Sequence, residues 1–306
     1  MKAAILSFLR NSAGEVSGEV LGKELGISRV SIWKHIVNLR QSGYIIGASP
    51  RGYRLLSAPD LLLGCEFPEL GKKLHHFHSI DSTMDTAREL IESGAEEGTV
   101  VVAESQNSGR GRLGREWFSP QGGIYFTLVL KPKIAPAYAP RLNMMASVAV
   151  AKTLRRLLGV DARLKWPNDV LIEGRKVCGI LAEMGAEMDV VKYVTIGVGI
   201  NANFSIARYG TKVASLRDLK GEKVSRKDIF NSVVKELLRQ QSLLTKGELL
   251  EEWKGLSATL NREIRIETPG GEITGKAVDI DSNGALIIRE KDGSLRTAIA
   301  GDCFHP

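Results

Sequence analysis

Apolar and polar positions alternate along this chain with more than one period. In residues 1–60 the period is mostly helical. The opening "MKAAILSFLRNSAGEV" has a short apolar run broken by polar residues, which reads as an amphipathic helix rather than a signal peptide. In "SGEVLGKELGISRVSIWKHIVNLRQSGY" a first helix turns Val20, Leu21 and Leu25 inward, Gly26 breaks it, and Ser28 stands where its hydroxyl can cap a second. Within that second helix Ile32, Ile36 and Leu39 repeat at i, i+4, i+7, one buried stripe. Ser31, Lys34 and Asn38 take the opposite face, with Arg29 in the first turn. After Gly43, "YIIGASPRGYRLL" predicts two strands about a Ser-Pro-Arg-Gly turn that carries Arg51. A helical pair followed by a basic hairpin predicts a winged helix-turn-helix, with Arg29, Ser31, Lys34, Asn38 and Arg51 on its DNA-binding side. A small helical dimerisation module would use the same apolar stripe.

After a linker near "SAPDLLLG", helical and extended patterns alternate. "DSTMDTARELIESG" predicts a helix: Ser82 caps it, Asp85 stands three residues on as in a capping box, and Gly94 ends it. "GTVVVAES" and "GIYFTLVLK" predict strands, and "PRLNMMASVAVAKTLRRLLG" a long central buried helix. "ARLKWP", "DVLIEGRKVCGILAEM" and "VVKYVTIGVGINAN" add strands, with a Glu-Gly-Arg turn inside the second stretch, and "SRKDIFNSVVKELLRQQSLL" another capped helix. The sum is an α+β layer, a mixed or mostly antiparallel sheet with helices packed on it. From about 255 onward "NREIRIETPGGEITGKAVDIDSNGALIIREKDGSLRTAIA" breaks into short strands at Pro-Gly-Gly, Ser-Asn-Gly and Lys-Asp-Gly, which predicts a small all-β, barrel-like domain.

Composition narrows this little: 306 residues, 43% hydrophobic and 25% charged, suit a soluble globular protein of two or three domains. No apolar run reaches the ~18 residues of a membrane-crossing helix. Cys65, Cys178 and Cys303 are far apart and form no C-x-x-C, so neither a zinc site nor a disulfide framework is suggested, and a reducing cytoplasm fits. The placement of charge says more than the net +7. From Leu25 to Pro59 there is no acidic residue, while Arg29, Lys34, Arg40, Arg51 and Arg54 fall there, which suits a polyanion. His75, His76 and His78 sit close together, but on a strand they would point to different faces, and no carboxylate or cysteine pattern supports a metal site.

The stretch "SQNSGRGRLGREWFSP" carries Gly109, Gly111 and Gly114 at G-x-G-x-x-G spacing. A dinucleotide site needs the third glycine to open a helix and an acidic residue about 20 positions later. Here a turn-like "REWFSPQGG" follows, and there is no acidic residue between Glu116 and Asp161. A Walker loop fails too, because no Lys-Ser/Thr closes the motif. What remains is a loop in which glycines allow close approach of backbone to ligand and Arg110 and Arg112 offer charged forks to carboxylate or phosphate. The loop alone fits a lid over an anionic ligand or a flexible basic surface segment.

Its company decides between them. "DSTMD", "ESQNSGRGRLGREWFSP", "LKWPNDVLI", "GRKVCGILAEM" and "IGVGINAN" follow in the order and spacing of the biotin protein ligases, and the chain resembles that family over essentially its whole length. Its N-terminal "LGKELGISRVSIWKHI" and "GYRLL" resemble the bifunctional members that also repress biotin-synthesis genes. The resemblance implies three domains: a winged helix-turn-helix over 1–60, a mixed-sheet ligase domain related to class II synthetase-like folds over 61–254, and a small SH3-like β-barrel over 255–306. It implies that biotin and ATP, with Mg, give biotinyl-5′-adenylate, that a lysine of biotin carboxyl carrier protein takes the acyl group, and that a homodimer binds operator DNA. By the same resemblance Ser82, Thr83, Met84 and Gln106 hold biotin, and Arg110, Gly111 and Arg112 close over it. Lys176 meets the carboxylate or adenylate phosphate and joins Arg110 and Arg112 as the catalytic set. Trp117 stacks on adenine, Asn168 and Asn201 add nucleotide contacts, and Asp169 lies on the metal side.

One position departs from the pattern. The family triplet Ser-Thr-Asn is here Ser-Thr-Met, and Met84 cannot donate the hydrogen bonds of an amide. Two other readings stay open: a lipoate-type acyl ligase, against which the pairing of "GRGRLG" with "KWPND" argues, and a ligand-sensing transcription factor without catalysis, against which Lys176 and both arginines argue. Structural roles are the plain alternatives for Asp85 as a helix cap, Trp166 as core and Asn201 as a strand end.

Overall fold

The computed structural model describes residues 1–187, 190–206, 210–268 and 270–305, and the chain divides into two compact units, Met1–Gly71 and Lys72–Pro306. The first unit contains α1 (Lys2–Asn11), α2 (Gly18–Leu25), α3 (Arg29–Gln41) and the antiparallel hairpin β1 (Ile45–Ser49) and β2 (Gly52–Ser57). Ser28 caps α3 by accepting from the Ser31 amide at 3.1 Å, and Gly26 ends α2 at φ 66°. Ile32, Ile36 and Leu39 are fully buried against Ile5, Leu6 and Leu21. Val20 does not share their core: it is 49% exposed. The turn between α2 and α3 is so tight that a Cβ on Gly22 would lie 2.7 Å from the Ile27 carbonyl, and Leu21 and Gly22, not Val20, face inward. Arg40 pins the hairpin to α3, donating through Nε and a terminal nitrogen to the Ile46 carbonyl at 3.0 and 2.6 Å.

The second unit is built on a seven-stranded sheet of order β3-β4-β5-β9-β8-β7-β6. The strands are β3 (Leu74–Phe77), β4 (Val100–Ala103), β5 (Ile124–Leu130), β6 (Ala162–Lys165), β7 (Asp169–Ile172), β8 (Arg175–Glu187) and β9 (Val190–Ile200). Only β3 and β4 run parallel; every other neighbouring pair is antiparallel. All seven residues of β5 are buried because helices cover both faces. On one face Phe126 meets Phe230 of α7 (Arg226–Gln240) edge-on at 5.2 Å. On the other, Val129 packs with Ala87 of α4 (Thr83–Glu92). The long α5 (Ala139–Leu158) packs against α7, α8 (Gly247–Leu256) and strands β6 to β9, and the short α6 (Leu216–Lys220) precedes α7.

The C-terminal part is a five-stranded antiparallel sheet of order β13-β12-β11-β10-β14: β10 (Glu263–Thr268), β11 (Gly271–Ile280), β12 (Leu286–Arg289), β13 (Leu295–Ala298) and β14 (Asp302–Phe304). It is the small all-β element that the turn spacing predicts; Pro269 of the Pro-Gly-Gly turn lies outside the described residues. It is tied to the helices beneath by Arg141 of α5, whose buried guanidinium donates to the Ser282, Leu244 and Lys246 carbonyls. Trp166 is core, as its alternative reading has it: it is 2% exposed, with its indole N–H donating to the Gly284 carbonyl at 3.3 Å.

Candidate active site

On the α4 face of the large sheet, one cavity is lined by residues from α4, the glycine loop, β7, β8, β9 and β14. Its polar floor is set at the start of α4. Ser82 caps the helix by accepting from the Met84 amide at 3.2 Å. Gln106 meets it directly: Oε1 accepts from the Thr83 amide at 2.8 Å and hydroxyl at 3.1 Å, while Nε2 donates to Ser119 Oγ at 2.8 Å. Thr83 in turn accepts from the Thr127 hydroxyl at 2.9 Å. These groups fix one another by hydrogen bonds, as a site for neutral hydrogen-bonding groups requires. Met84, 3% exposed, lines the same cavity and lies over Gly197, where a Cβ would come within 2.7 Å of its sulfur.

The glycine loop is folded as a small hairpin. Trp117 N donates to the Gly109 carbonyl at 2.8 Å, Gly111 N to the Arg115 carbonyl at 2.7 Å, and Arg110 bridges Glu116 between them. Leu113 and Gly114 turn the tip at φ 56° and 72°. At its base a Cβ on Gly109 would lie 2.4 Å from the Trp117 carbonyl, so only glycine fits there. The hairpin lays Trp117 flat across β8 and β9, on the cross-strand pair Gly179 and Gly199. A Cβ would approach the indole to 2.8 Å from Gly179 and 2.2 Å from Gly199.

Lys176 reaches the cavity from a bulge. The β7–β8 pairing passes from Leu171↔Lys176 to Val170↔Cys178, which leaves Val177 as the extra residue. The Lys176 ammonium lies 2.7 Å from Asp169 Oδ1 and 5.1 Å from the centroid of the Trp117 ring. Cation, carboxylate and indole thus form one cluster. Asn168 is fixed beside them by donating to the Ile180 carbonyl at 2.6 Å.

The two loop arginines have different partners. Arg110 pairs with both oxygens of Glu183 at 3.1 Å and with Asp85 at 3.4 Å, and Arg88 joins the same two carboxylates. Asp85 therefore serves this ion network, where the sequence pattern suggests a capping box. Arg112 reaches the other way, donating to the Gly301 carbonyl at 3.1 Å and Asn168 at 3.4 Å. Burial pushes its guanidinium below the ordinary arginine value, against the opposing pull of Asp302 and Asp169. Next to it Arg115 is ion-paired with Asp302, so the start of β14 and the Gly301 before it grip the hairpin at two points.

Asn201 stands apart from the other nucleotide candidates. It is 2% exposed, its amide donates to the Ala214 carbonyl at 3.2 Å, and its backbone N–H braces the Val177 carbonyl at 2.8 Å. It supports the bulge that aims Lys176 and does not line the cavity. In the N-terminal unit Arg29, Lys34, Asn38 and Arg51 are exposed, while Ser31 is half-buried, 3.0 Å from the Ser28 hydroxyl. His76 is hydrogen-bonded to buried Glu104 at 3.0 Å. Glu104 is also ion-paired with buried Arg226 at 2.9 Å.

Known proteins resemble this chain in sequence and fold. Residues 76–201 match the biotin/lipoate A/B protein ligase family, residues 259–305 the biotin protein ligase C-terminal domain, and residues 2–54 an HTH domain. The bifunctional ligase/repressor BirA of Bacillus spizizenii is 37% identical over 91% of this chain and 90% of its own length. The chain belongs to the bifunctional biotin ligase/repressor family. The family member of the same description from Escherichia coli is 32% identical over 94% of this chain and 91% of its own. Among solved structures, a biotin protein ligase from Aquifex aeolicus in complex with biotin and ATP aligns with a TM-score of 0.66 and 28% identity, over 76% of this chain and 98% of that one.

Motif reading of this ligase/repressor brings together Ser82, Thr83, Met84, Gln106, Arg110, Gly111, Arg112, Trp117, Asn168, Asp169 and Lys176, all of which line the cavity. It passes over Glu183, Arg115, Asp302 and the glycines of β8 and β9. The "GVG" of β9 was a usable signal: small residues alternating on a buried strand leave room for something large to lie across them.

Proposed function

We propose that this chain joins biotin to ATP to form biotinyl-5′-adenylate, transfers the biotinyl group to one lysine of biotin carboxyl carrier protein, and represses biotin-synthesis genes as a DNA-bound homodimer. The observation that carries the ligase half is the convergence of Lys176, Arg110 and Arg112 with the neutral Ser82–Thr83–Gln106 floor on one cavity. The floor suits an uncharged ureido ring, and the cations suit a carboxylate meeting a phosphate. A biotin carboxylate oxygen attacks the α-phosphorus, the bond to the bridging oxygen breaks, and pyrophosphate leaves. The neutral lysine amine of the carrier then attacks the acyl carbon, AMP departs, and the amine loses a proton. Lys176 and Arg112 offset the repulsion between the two anions of the first step and hold the charge that develops. Trp117, seated on its two glycines, offers a flat face to adenine, and Asn168 a polar edge. Met84 contributes shape rather than hydrogen bonds.

Among the described residues no cluster of three metal-binding side chains is present, and Asp169 and Asp302 are each paired with a cation. We infer that magnesium enters on the ATP phosphates, as part of the substrate. No described helix is long and apolar enough to cross a membrane, and three free thiols suit a reducing cytoplasm. The test is incubation with ATP, labelled biotin and a carrier domain. Covalent label on one carrier lysine supports the reading; no label, or label only with lipoate in place of biotin, overturns it.

A further inference from the structure

The outward face of α3 carries two large apolar residues that its core does not use. Val30 is 62% and Trp33 54% exposed, and they are i, i+3 neighbours on the first turns of the helix. Their chain neighbours on the helix, Arg29 and Lys34, are exposed cations, Arg51 and Arg54 of the hairpin that follows are exposed too, and no acidic residue occurs from Leu25 to Pro59. The Ser31 hydroxyl, which would otherwise serve this end of the helix, lies 3.0 Å from Ser28 Oγ in the cap. An apolar pair flanked by cations complements a duplex with a methyl group in its groove. It does not complement the apolar surface of another protein, which would leave those charges facing it.

Resting on the repressor reading above, we propose that Val30 and Trp33 determine operator sequence by packing on thymine 5-methyl groups in the major groove. The N-terminal end of the second helix of a helix-turn-helix is the part that meets base edges. There the thymine methyl is the apolar feature that a base pair presents, and Val30 and Trp33 are the apolar groups this helix presents to it. The arginines and Lys34 hold the phosphates and set affinity; the two apolar side chains set which base pairs are tolerated.

The experiment uses the full chain with biotin and ATP. Bound duplexes are selected from a random pool, and each thymine of the winning sequence is then replaced singly by deoxyuridine, which removes only the methyl. At least one replacement per half-site should weaken binding about fourfold, the effect of uncovering one buried methyl. The same replacement should be nearly silent in Trp33→Gln or Val30→Ser, while the salt dependence of binding keeps its slope, since neither residue neutralises a phosphate. Deoxyuridine tolerated everywhere by the native chain overturns the proposal, as does a penalty undiminished in both variants. A shift of the monomer–dimer equilibrium in DNA-free Trp33→Gln, with uracil tolerated by the native chain, reassigns the face to protein contact. Failure to select any duplex removes the repressor reading as well; selection followed by silent uracil scanning removes this inference alone.

Discussion

At Lys176 an ammonium, a carboxylate and an indole are gathered within 5.1 Å. Lys176→Ala should lower adenylate formation about 10²–10³-fold, the usual loss when one preorganised group facing a developing anion is removed. Pyrophosphate release under saturating biotin and ATP measures it, and a near-native rate would discard the assignment. The indole makes a different point. Gly199→Ala places a methyl 2.2 Å from Trp117 Nε1, so the ring must lift off the sheet. ATP KM should rise on the order of tenfold, with biotin KM nearly unchanged, because ring misplacement removes nucleotide binding rather than chemistry. Equal rises in both would mean that the substitution disturbed the whole cavity. Lys176 and the loop arginines were legible because a linear motif contains them. Glu183 was not, since its meaning depends on Arg110, 73 residues earlier in the chain. Met84 shows the converse: its chemistry was legible as a missing hydrogen-bond donor, its packing against Gly197 was not.

Long elements with a strong period were visible in the sequence, from the apolar stripe of α3 to the buried run of β5. The failures came where the period was short. In the eight residues of α2 the apolar pattern is too short to fix which side faces inward, and the tight approach of Gly22 to Ile27 turns Leu21 in and Val20 out. The ten residues of α8 sit where the composition already changes toward the C-terminal strands, and were passed over. The glycine loop reads as irregular chain, yet backbone hydrogen bonds fold it as a hairpin, because its pairing residues are separated by a tip rather than by an apolar repeat. Beside the C-terminal sheet, His305 carries a pH signature. Burial, with Lys165 and Arg262 adding repulsion, lowers its pKa from 6.5 to about 4. The unfolded chain therefore takes up a proton that the folded one refuses, so stability falls as pH drops from about 6.5 toward 4. His305→Gln, which keeps a partner for the Thr259 hydroxyl, should show a smaller drop in Tm between pH 7 and pH 5. Parallel drops in the two proteins would mean that other groups govern the acid limb.

Over the whole molecule, two units with separate cores must exchange information for a ligase to act as a switch. A single small helix-turn-helix offers one recognition helix, so tight operator binding needs two copies on two half-sites. If bound adenylate orders loops that border a dimer surface, it lowers the entropic cost of association, and linkage then makes operator DNA tighten adenylate binding in return. Operator affinity should rise about tenfold or more when biotin and ATP are added at fixed salt, in step with dimerisation seen by sedimentation. Equal affinities with and without ligand would leave a ligase that does not repress by this route. Neither coupling nor symmetry is written in a local pattern, which is why the sequence supplies them only through resemblance. The grip of β14 on the hairpin extends the same theme into genetics. Gly301, at φ 146°, has no room for a Cβ: the nearest atoms, of Ile266 and Glu267, would lie at 2.6 and 2.7 Å. A substitution there displaces the carbonyl that Arg112 holds and the neighbouring carboxylate that Arg115 holds. Alleles altered at Gly301 or Ile266 would therefore emerge from a screen for lost biotinylation beside those at Lys176, though neither residue lines the cavity, and the two classes would fail to complement in trans because both defects fall on one site.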